Sequence, residues 1–179
     1  MIDLNEINVI DNFFEENIRS DIWQRIGPEA SKWRFKGGNL QNRFWHIDFL
    51  ENDEYFSLYL KNKICNKIGD YFKKCSVNRI YANGQTSCQA GTAHPDDGDM
   101  TFLYYPNPEW QYGWQGHLMF LNQEDEDEST YDPYRVVRYR PNRAVIFPAK
   151  IFHHADAPSR IFDGLRVSLA YKFVFPNND

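Results

Sequence analysis

The sequence lacks several features, and each absence narrows what the chain can be. No stretch approaches the roughly 18 uninterrupted apolar residues of a membrane-spanning helix, so no membrane partner is expected. The start, MIDLNEINVIDNFF, has no basic region followed by an apolar run, so no secretory signal is visible and a cytoplasmic location is expected. The three cysteines, Cys65, Cys75 and Cys88, form no CxxC and have no metal-site spacing; they read as packing residues of a reduced, intracellular protein. There is no dense Lys/Arg tract, and the formal charge is -5. Phosphate contacts normally leave a basic stripe, so no nucleic-acid partner is expected. The one local cationic cluster, Arg135, Arg138, Arg140 and Arg143, reads first as a strand with solvated long side chains and second as a substrate-facing surface. No internal repeat is visible.

What is present points to a packed domain. The chain has 179 residues with 42% apolar and 17% aromatic content, which excludes disorder as a whole-chain description. One domain spanning 1–179 is expected, with 1–76 as helical and strand support and 77–175 as a β core. Asp11 or Asn12 is placed to cap a helix running to about Arg25, with Phe14, Ile18, Ile22 and Ile26 at i+4 spacing. Phe56, Leu60, Ile64, Ile68 and Phe72 form a second such stripe, suited either to cover the outside of a barrel or to serve a dimer. Trp33–Phe35 and Arg43–Leu50 look like strands between them. From Val77 onward the pattern changes to short strands at 77–83, 100–105, 117–122, 134–140, 143–148 and 166–175. Asn83-Gly84, Pro106-Asn107-Pro108, Pro141-Asn142 and Asp163-Gly164 supply the turns. The fold class is therefore α+β, mainly β, and a jelly roll is one of the few ways to close such a set. The acidic run Glu124–Glu128 reads as a solvated loop, because it lacks the spaced ligands and glycine of a calcium loop.

The chemistry-bearing residues lie between 81 and 171. His94-Pro95-Asp96 precedes the strand 100–105, and side chains two apart on an extended segment point the same way. The apolar strand Arg143–Pro148 leads into Ile151-Phe152-His153-His154. A second histidine from that distant strand completes two imidazoles and one carboxylate on one face of a metal, which suits non-haem Fe(II) oxygen chemistry. His153 and His154 are adjacent, so only one of them can point inward. Asp97 and Asp99 compete with Asp96, but only Asp96 keeps the HxD interval. Further on, Arg166 and Ser168 share one face of the last strand. A buried guanidinium needs an anion, and its planar fork suits a carboxylate. His46 and His117 read as structural or surface histidines.

The ordered set HPD, FPxxxxH and RVS resembles the 2-oxoglutarate/Fe(II) oxygenases, in particular their prolyl-4-hydroxylase-like branch. FPAKIFHHADAPSR is similar to that branch around its distal histidine, TFLYYPNPEW with QGHLMF to its strand pair after HxD, and IYANGQ to the strand entering the loop before it. The resemblance covers about 80–175. It implies a double-stranded β-helix, with His94, Asp96 and His153 as iron ligands; the family spacing from Phe147-Pro148 favours His153 over His154. It implies Arg166 as the anchor of the far carboxylate of 2-oxoglutarate, Tyr105 facing the same group, Tyr81 as a second pocket tyrosine and Leu118 as an apolar wall. Ser168 rests more on strand alternation than on the resemblance, and Tyr104 replaces Tyr105 if the register shifts by one. The implied cofactors are Fe(II), 2-oxoglutarate and O2, with ascorbate as reductant. The implied reaction is C–H hydroxylation, of a prolyl residue in a peptide or protein or of a small molecule. Trp110, Tyr112 and Trp114 are candidates for a peptide groove or for a packed loop on the barrel rim. Two other readings remain: a catalytically silent jelly-roll binding module, and a nucleic-acid demethylase of similar fold.

Overall fold

The central strands are buried on both faces, and their side-chain alternation divides the molecule into two layers of contents. In the computed structural model, which describes residues 2–36, 43–122 and 132–176, β4 (Ser76–Gln85), β5 (Met100–Tyr104), β8 (Ala144–Pro148) and β10 (Arg166–Val174) form the middle of an antiparallel sheet. With β1 (Asn8–Ile10), β2 (Arg34–Lys36) and β3 (Phe44–Ile47) the order is β1-β8-β5-β10-β4-β3-β2. A smaller sheet, β7-β6-β9, is built from β6 (Leu118–Asn122), β7 (Asp132–Val137) and β9 (His153–Ala155). The jelly roll, mainly β with helical support, is thus present.

One face of the large sheet meets helices. Phe102 and Tyr104 of β5, Ala144 and Ile146 of β8, and Val167, Leu169, Tyr171 and Phe173 of β10 belong to one core with Ile18, Ile22 and Ile26 of α1 (Glu16–Ile26). Ile64 and Ile68 of α2 (Lys61–Ile68) join the same core, with Phe56, Leu60 and Phe72. The stripe 56–72 therefore covers the outside of the barrel. Each large apolar side chain buried there contributes about 1.5–3 kcal/mol. The opposite face of the sheet packs on the small sheet through Tyr105, Leu118, Phe120, Val137, Val145 and Phe147.

The helices differ in detail from the sequence expectation. Neither Asp11 nor Asn12 caps α1, which begins at Glu16 with Glu15 at its N-cap and no side-chain cap bond. Asp11 instead pairs with Arg140 and Arg143, and Phe13 and Phe14 are tied to Asn142. The 56–72 stripe is not one α-helix. A π-helical turn (Tyr55–Leu60) precedes α2, and Gly69, at φ 129°, breaks the chain into a 3-10 turn over Asp70–Lys74. All five stripe residues are nevertheless buried, because core burial was the signal and helix type was not. Cys65 and Cys75 pack in the core as expected, but Cys88 is exposed and carries no packing role. The acidic run Glu124–Glu128 lies outside the described residues. Among the described residues no helix is long and apolar enough to cross a membrane.

Candidate metal centre

Between the two sheets the large sheet turns polar. On β10 the odd-numbered positions face the helices, so Arg166, Ser168, Ala170 and Lys172 face the interior. Arg166 pairs across the ladder with Gln85, Ser168 with Asn83 and Ala170 with Tyr81, while on the other side Lys172 pairs with Thr101. Alternation on the neighbouring strands therefore aims Tyr81, Asn83, Thr101 and Leu103 into the same space. They line a cavity of about 50 Å³ together with His94, Asp96, His153, Leu118, Phe147, Arg166, Ser168 and Lys172.

His94 and His153 stand side by side for a backbone reason. Each donates its N–H to the other's carbonyl at 3.1 Å, an antiparallel bridge that sends both imidazoles out from one face. His94 Nδ1 faces the Thr92 carbonyl at 2.7 Å and His153 Nδ1 faces that of Ile151 at 2.8 Å. A carbonyl only accepts, so each Nδ1 carries a proton and Nε2 is the ring nitrogen left to ligate a metal. Those Nε2 atoms lie 3.6 Å and 3.3 Å from the Asp96 carboxylate oxygens, and one ligand atom from each of the three residues lies within 4.8 Å of the other two. Burial pushes the Asp96 carboxyl upward, but the His153 ring beside it and the charge of Lys172 outweigh this and hold it well below the usual carboxylate range. Burial also lowers His94. Both shifts favour the metal-ready forms, anionic carboxylate and neutral imidazole. His154 pairs with Met119 on the small sheet while His153 pairs with Phe120, so the two histidines take opposite faces of β9, and His153 is the one in the cavity.

Arg166 is 1% exposed and among the described residues pairs with no carboxylate. Its Nε donates to the Gly116 carbonyl and its Nη1 to Gln85 Oε1, but its Nη2 is buried without a partner. Tyr105 also buries an unpartnered hydroxyl, 0% exposed, although it is not among the residues lining the cavity. Tyr104 faces the helical core, where its hydroxyl donates to Asn142 Oδ1. Tyr81 lines the cavity with the Arg79 guanidinium over its ring, and Ser168 and Leu118 complete the wall. The chemistry of this donor set suits a ferrous ion with a dicarboxylate. Two imidazoles and one carboxylate stand at one end, and a buried cation with one unsatisfied nitrogen at the other.

Lys172, Thr101, Asn83 and Gln85 went unrecognised in the sequence. Carrying the Arg166–Ser168 alternation two steps further finds Lys172, but the partners on β4 and β5 need the strand register. Trp110 and Trp114 pack on Phe162 beside Tyr139 rather than at this cavity, and Arg138 lies over the ring of Tyr112. His117 accepts the Tyr139 N–H through Nδ1 and stays outside the cavity.

The model of the 2OG-Fe(II) oxygenase superfamily matches residues 34–173, most of the chain and all of the cavity. The chain belongs to this superfamily. No curated protein is similar enough in sequence to match. Among solved structures, a prolyl hydroxylase from Trichoplax adhaerens, in complex with a peptide fragment of a hypoxia inducible factor, superposes with a TM-score of 0.66 at 16% identity, over 96% of this chain and 84% of that one. A Pseudomonas putida prolyl-4-hydroxylase gives 0.65 at 14% identity, over 97% and 94%. The alpha-ketoglutarate-dependent epimerase SnoN from nogalamycin biosynthesis gives 0.67 at 10% identity, over 94% and 78%. The shared feature is the double-stranded β-helix. A member of this superfamily is a dioxygenase that uses Fe(II), 2-oxoglutarate and O2, and in this oxygenase His94, Asp96 and His153 form the candidate iron site.

Proposed function

We propose that the protein hydroxylates a C–H bond in a peptide or protein segment, with a prolyl residue as the first candidate. In this reading His94, Asp96 and His153 hold Fe(II), and Arg166, Ser168 and Tyr105 receive the far carboxylate of 2-oxoglutarate. The observation that carries it is the partnerless buried Nη2 of Arg166 in the same cavity as the three ligand candidates. Bound there, iron with its co-substrate supplies the oxidising chemistry: 2-oxoglutarate, O2 and the C–H substrate give succinate, CO2 and the hydroxylated product. The protein's part is positional. Thr92 and Ile151 fix the imidazole tautomers, Leu118, Leu103 and Phe147 keep water away, and Arg166 sets the co-substrate's direction.

A surface depression supports a chain-like substrate. It has a volume of about 580 Å³ and is lined by Phe35, Arg43 and Cys88–Thr92, and it ends at the residue whose carbonyl holds His94. A second depression of about 460 Å³, lined by Trp33, Trp45, Thr86 and Leu165, lies across the Phe35–Trp45 ring pair, whose centroids are 5.3 Å apart. Two hollows flanking one aromatic pair suit an extended segment with alternating side chains. The neighbours named prolyl hydroxylases agree with this choice, whereas SnoN points to small molecules.

The test is succinate formation with Fe(II), ascorbate and 2-oxoglutarate, alone and with proline-containing peptides, comparing wild type with His153→Ala. Stimulation by peptide, with peptide mass increased by one oxygen and both lost in the variant, is the expected result. Succinate without peptide stimulation overturns the peptide reading. No succinate under any condition leaves a silent binding module.

A further inference from the structure

Lys172 is a lysine in a place that does not suit one. It is 1% exposed, and its Nζ makes an ion pair with Asp96 Oδ2 and donates to Thr101 Oγ1 at 3.1 Å. Thr101 in turn donates its hydroxyl to the same Asp96 Oδ2 at 2.6 Å. The carboxylate is therefore used unequally. Oδ2 takes an ammonium and a hydroxyl and lies 3.3 Å from His153 Nε2, while among the described residues Oδ1 has His94 Nε2 as its ion-pair neighbour, at 3.6 Å. An oxygen that already accepts two strong donors has little lone-pair density left for a cation, whereas Oδ1 keeps its own.

Stability does not account for this arrangement. Burying an ammonium beside a carboxylate costs desolvation that their attraction only about repays, and an apolar pair of similar volume in place of both partners is often as stable or more so. The opposite end of the same strand face carries Arg166, so the cavity floor has a cation at each end and the carboxylate of Asp96 at one of them. The Lys172 charge opposes a bare divalent cation at this site. It favours one that arrives with, or goes on to take, a dianionic partner.

We propose that Lys172, assisted by Thr101, is the positioning residue of the metal site: it occupies Asp96 Oδ2, leaves Oδ1 as the single metal donor, and makes the site bind metal and dicarboxylate together better than metal alone. This rests on the iron-site reading above. Lys172 acts through Asp96 and the field it creates.

The experiment uses the full chain, Co(II) as the metal and 2-oxoglutarate as the dicarboxylate, without O2. Co(II) affinity is measured alone and again with saturating 2-oxoglutarate, the visible Co(II) bands report donor number, and thermal melts report folding. Lys172→Met is expected to melt lower than wild type without metal, because the Asp96 carboxylate stays buried without its cation, and to bind Co(II) alone about tenfold more tightly, because a repelling charge has gone. It is expected to bind 2-oxoglutarate to the Co(II) form about tenfold more weakly, with altered Co(II) bands as Oδ2 is freed. Lys172→Arg restores the wild-type order of affinities. Thr101→Val keeps the charge and frees one lone pair of Oδ2, so it shifts the bands without reversing the affinities; it also carries the test if Lys172→Met fails to fold. Unchanged affinities and bands in a folded Lys172→Met, or unchanged bands in Thr101→Val, overturn the proposal. A wild-type protein that binds no Co(II) overturns the iron-site reading instead.

Discussion

The guanidinium carbon of Arg166 lies 5.5 Å from the ring centroid of Tyr105, and each side chain ends in a buried polar atom with no partner, Nη2 and the hydroxyl. Leaving such groups unsatisfied costs about 1–3 kcal/mol each, so two together mark a place kept for an incoming acceptor. Burial pushes the Tyr105 hydroxyl up to about 12, so at neutral pH it keeps its proton and can donate. Burial lowers Arg166, and the two neighbouring tyrosines oppose the shift; the guanidinium remains charged. In the proposed reading, one carboxylate of the co-substrate accepts from both donors.

Arg166→Met keeps the length of the side chain and removes its donors. The KM for 2-oxoglutarate should rise about 10- to 100-fold, the worth of a charge-assisted pair of hydrogen bonds. Thermal melts should change little, because an unpaired buried charge leaves with the donors. Steady-state succinate formation checks the first point, and an unchanged KM would sink the anchor role.

The two adjacent tyrosines should separate cleanly. Tyr105→Phe removes an unpartnered hydroxyl, so stability should hold or rise while the KM for 2-oxoglutarate increases about 3- to 10-fold. Tyr104→Phe removes the 3.1 Å bond to Asn142 and should lower the melting temperature by about a few degrees with no change in KM. The reverse pattern would assign the carboxylate-facing role to Tyr104.

Gly116 sits at φ 70°, and a Cβ there would come within 2.9 Å of Arg166 Cδ. Gly116→Ala should cost about 1–2 kcal/mol through its left-handed backbone and should also push Arg166 from its seat. Stability and the 2-oxoglutarate KM should therefore worsen together, which urea melts and steady-state kinetics would show. A stability loss alone would mean that Arg166 tolerates the shift.

Metal titration distinguishes the neighbouring histidines. His153→Ala should weaken Co(II) binding by more than about 100-fold, beyond the usual loss for removing a supporting partner of a ligand. His154→Ala should leave it near the wild-type value, since that side chain lies on the other face of β9. Equal losses would show that the 153–155 segment rearranges around the metal.

Asp11 accepts from Arg143 and Arg140, and those hydrogen bonds and charges hold its carboxyl below the ordinary 3.8 despite some burial. A lowered folded-state value means the contribution is fully present above the unfolded value and fades as the pH falls through the folded one. Asp11→Asn should therefore melt lower than wild type near neutral pH, with the gap closing below about pH 3.8. The gap should be small because the pair is partly solvated. A gap that widens in acid would contradict the assignment.

Much of this was readable in the chain because the signals are local. Period-two alternation placed the strands of the second half, HxD fixed the interval of two candidate ligands, and the i+4 stripes of 14–26 and 56–72 marked core faces. Two short strands were missed. β1 has three residues, and the segment 153–155 earned attention only for its histidines. The cap at Asp11 or Asn12 failed because those residues found long-range partners or a left-handed turn, with Asn12 at φ 53°. Cys88 was misjudged because burial of a single small residue carries no pattern.

The sequence by itself determined the fold class, the polar face of the last strand and the His94–Asp96 pair, since each is written in residue type and spacing along a few neighbouring positions. Only the tertiary structure decided which histidine of the pair faces the cavity, which tyrosine stands beside Arg166, and that Lys172 and Thr101 converge on one oxygen of Asp96. Those depend on how β4, β5, β9 and β10 align against one another. A shift of one residue in that register would turn every one of these side chains to the opposite face.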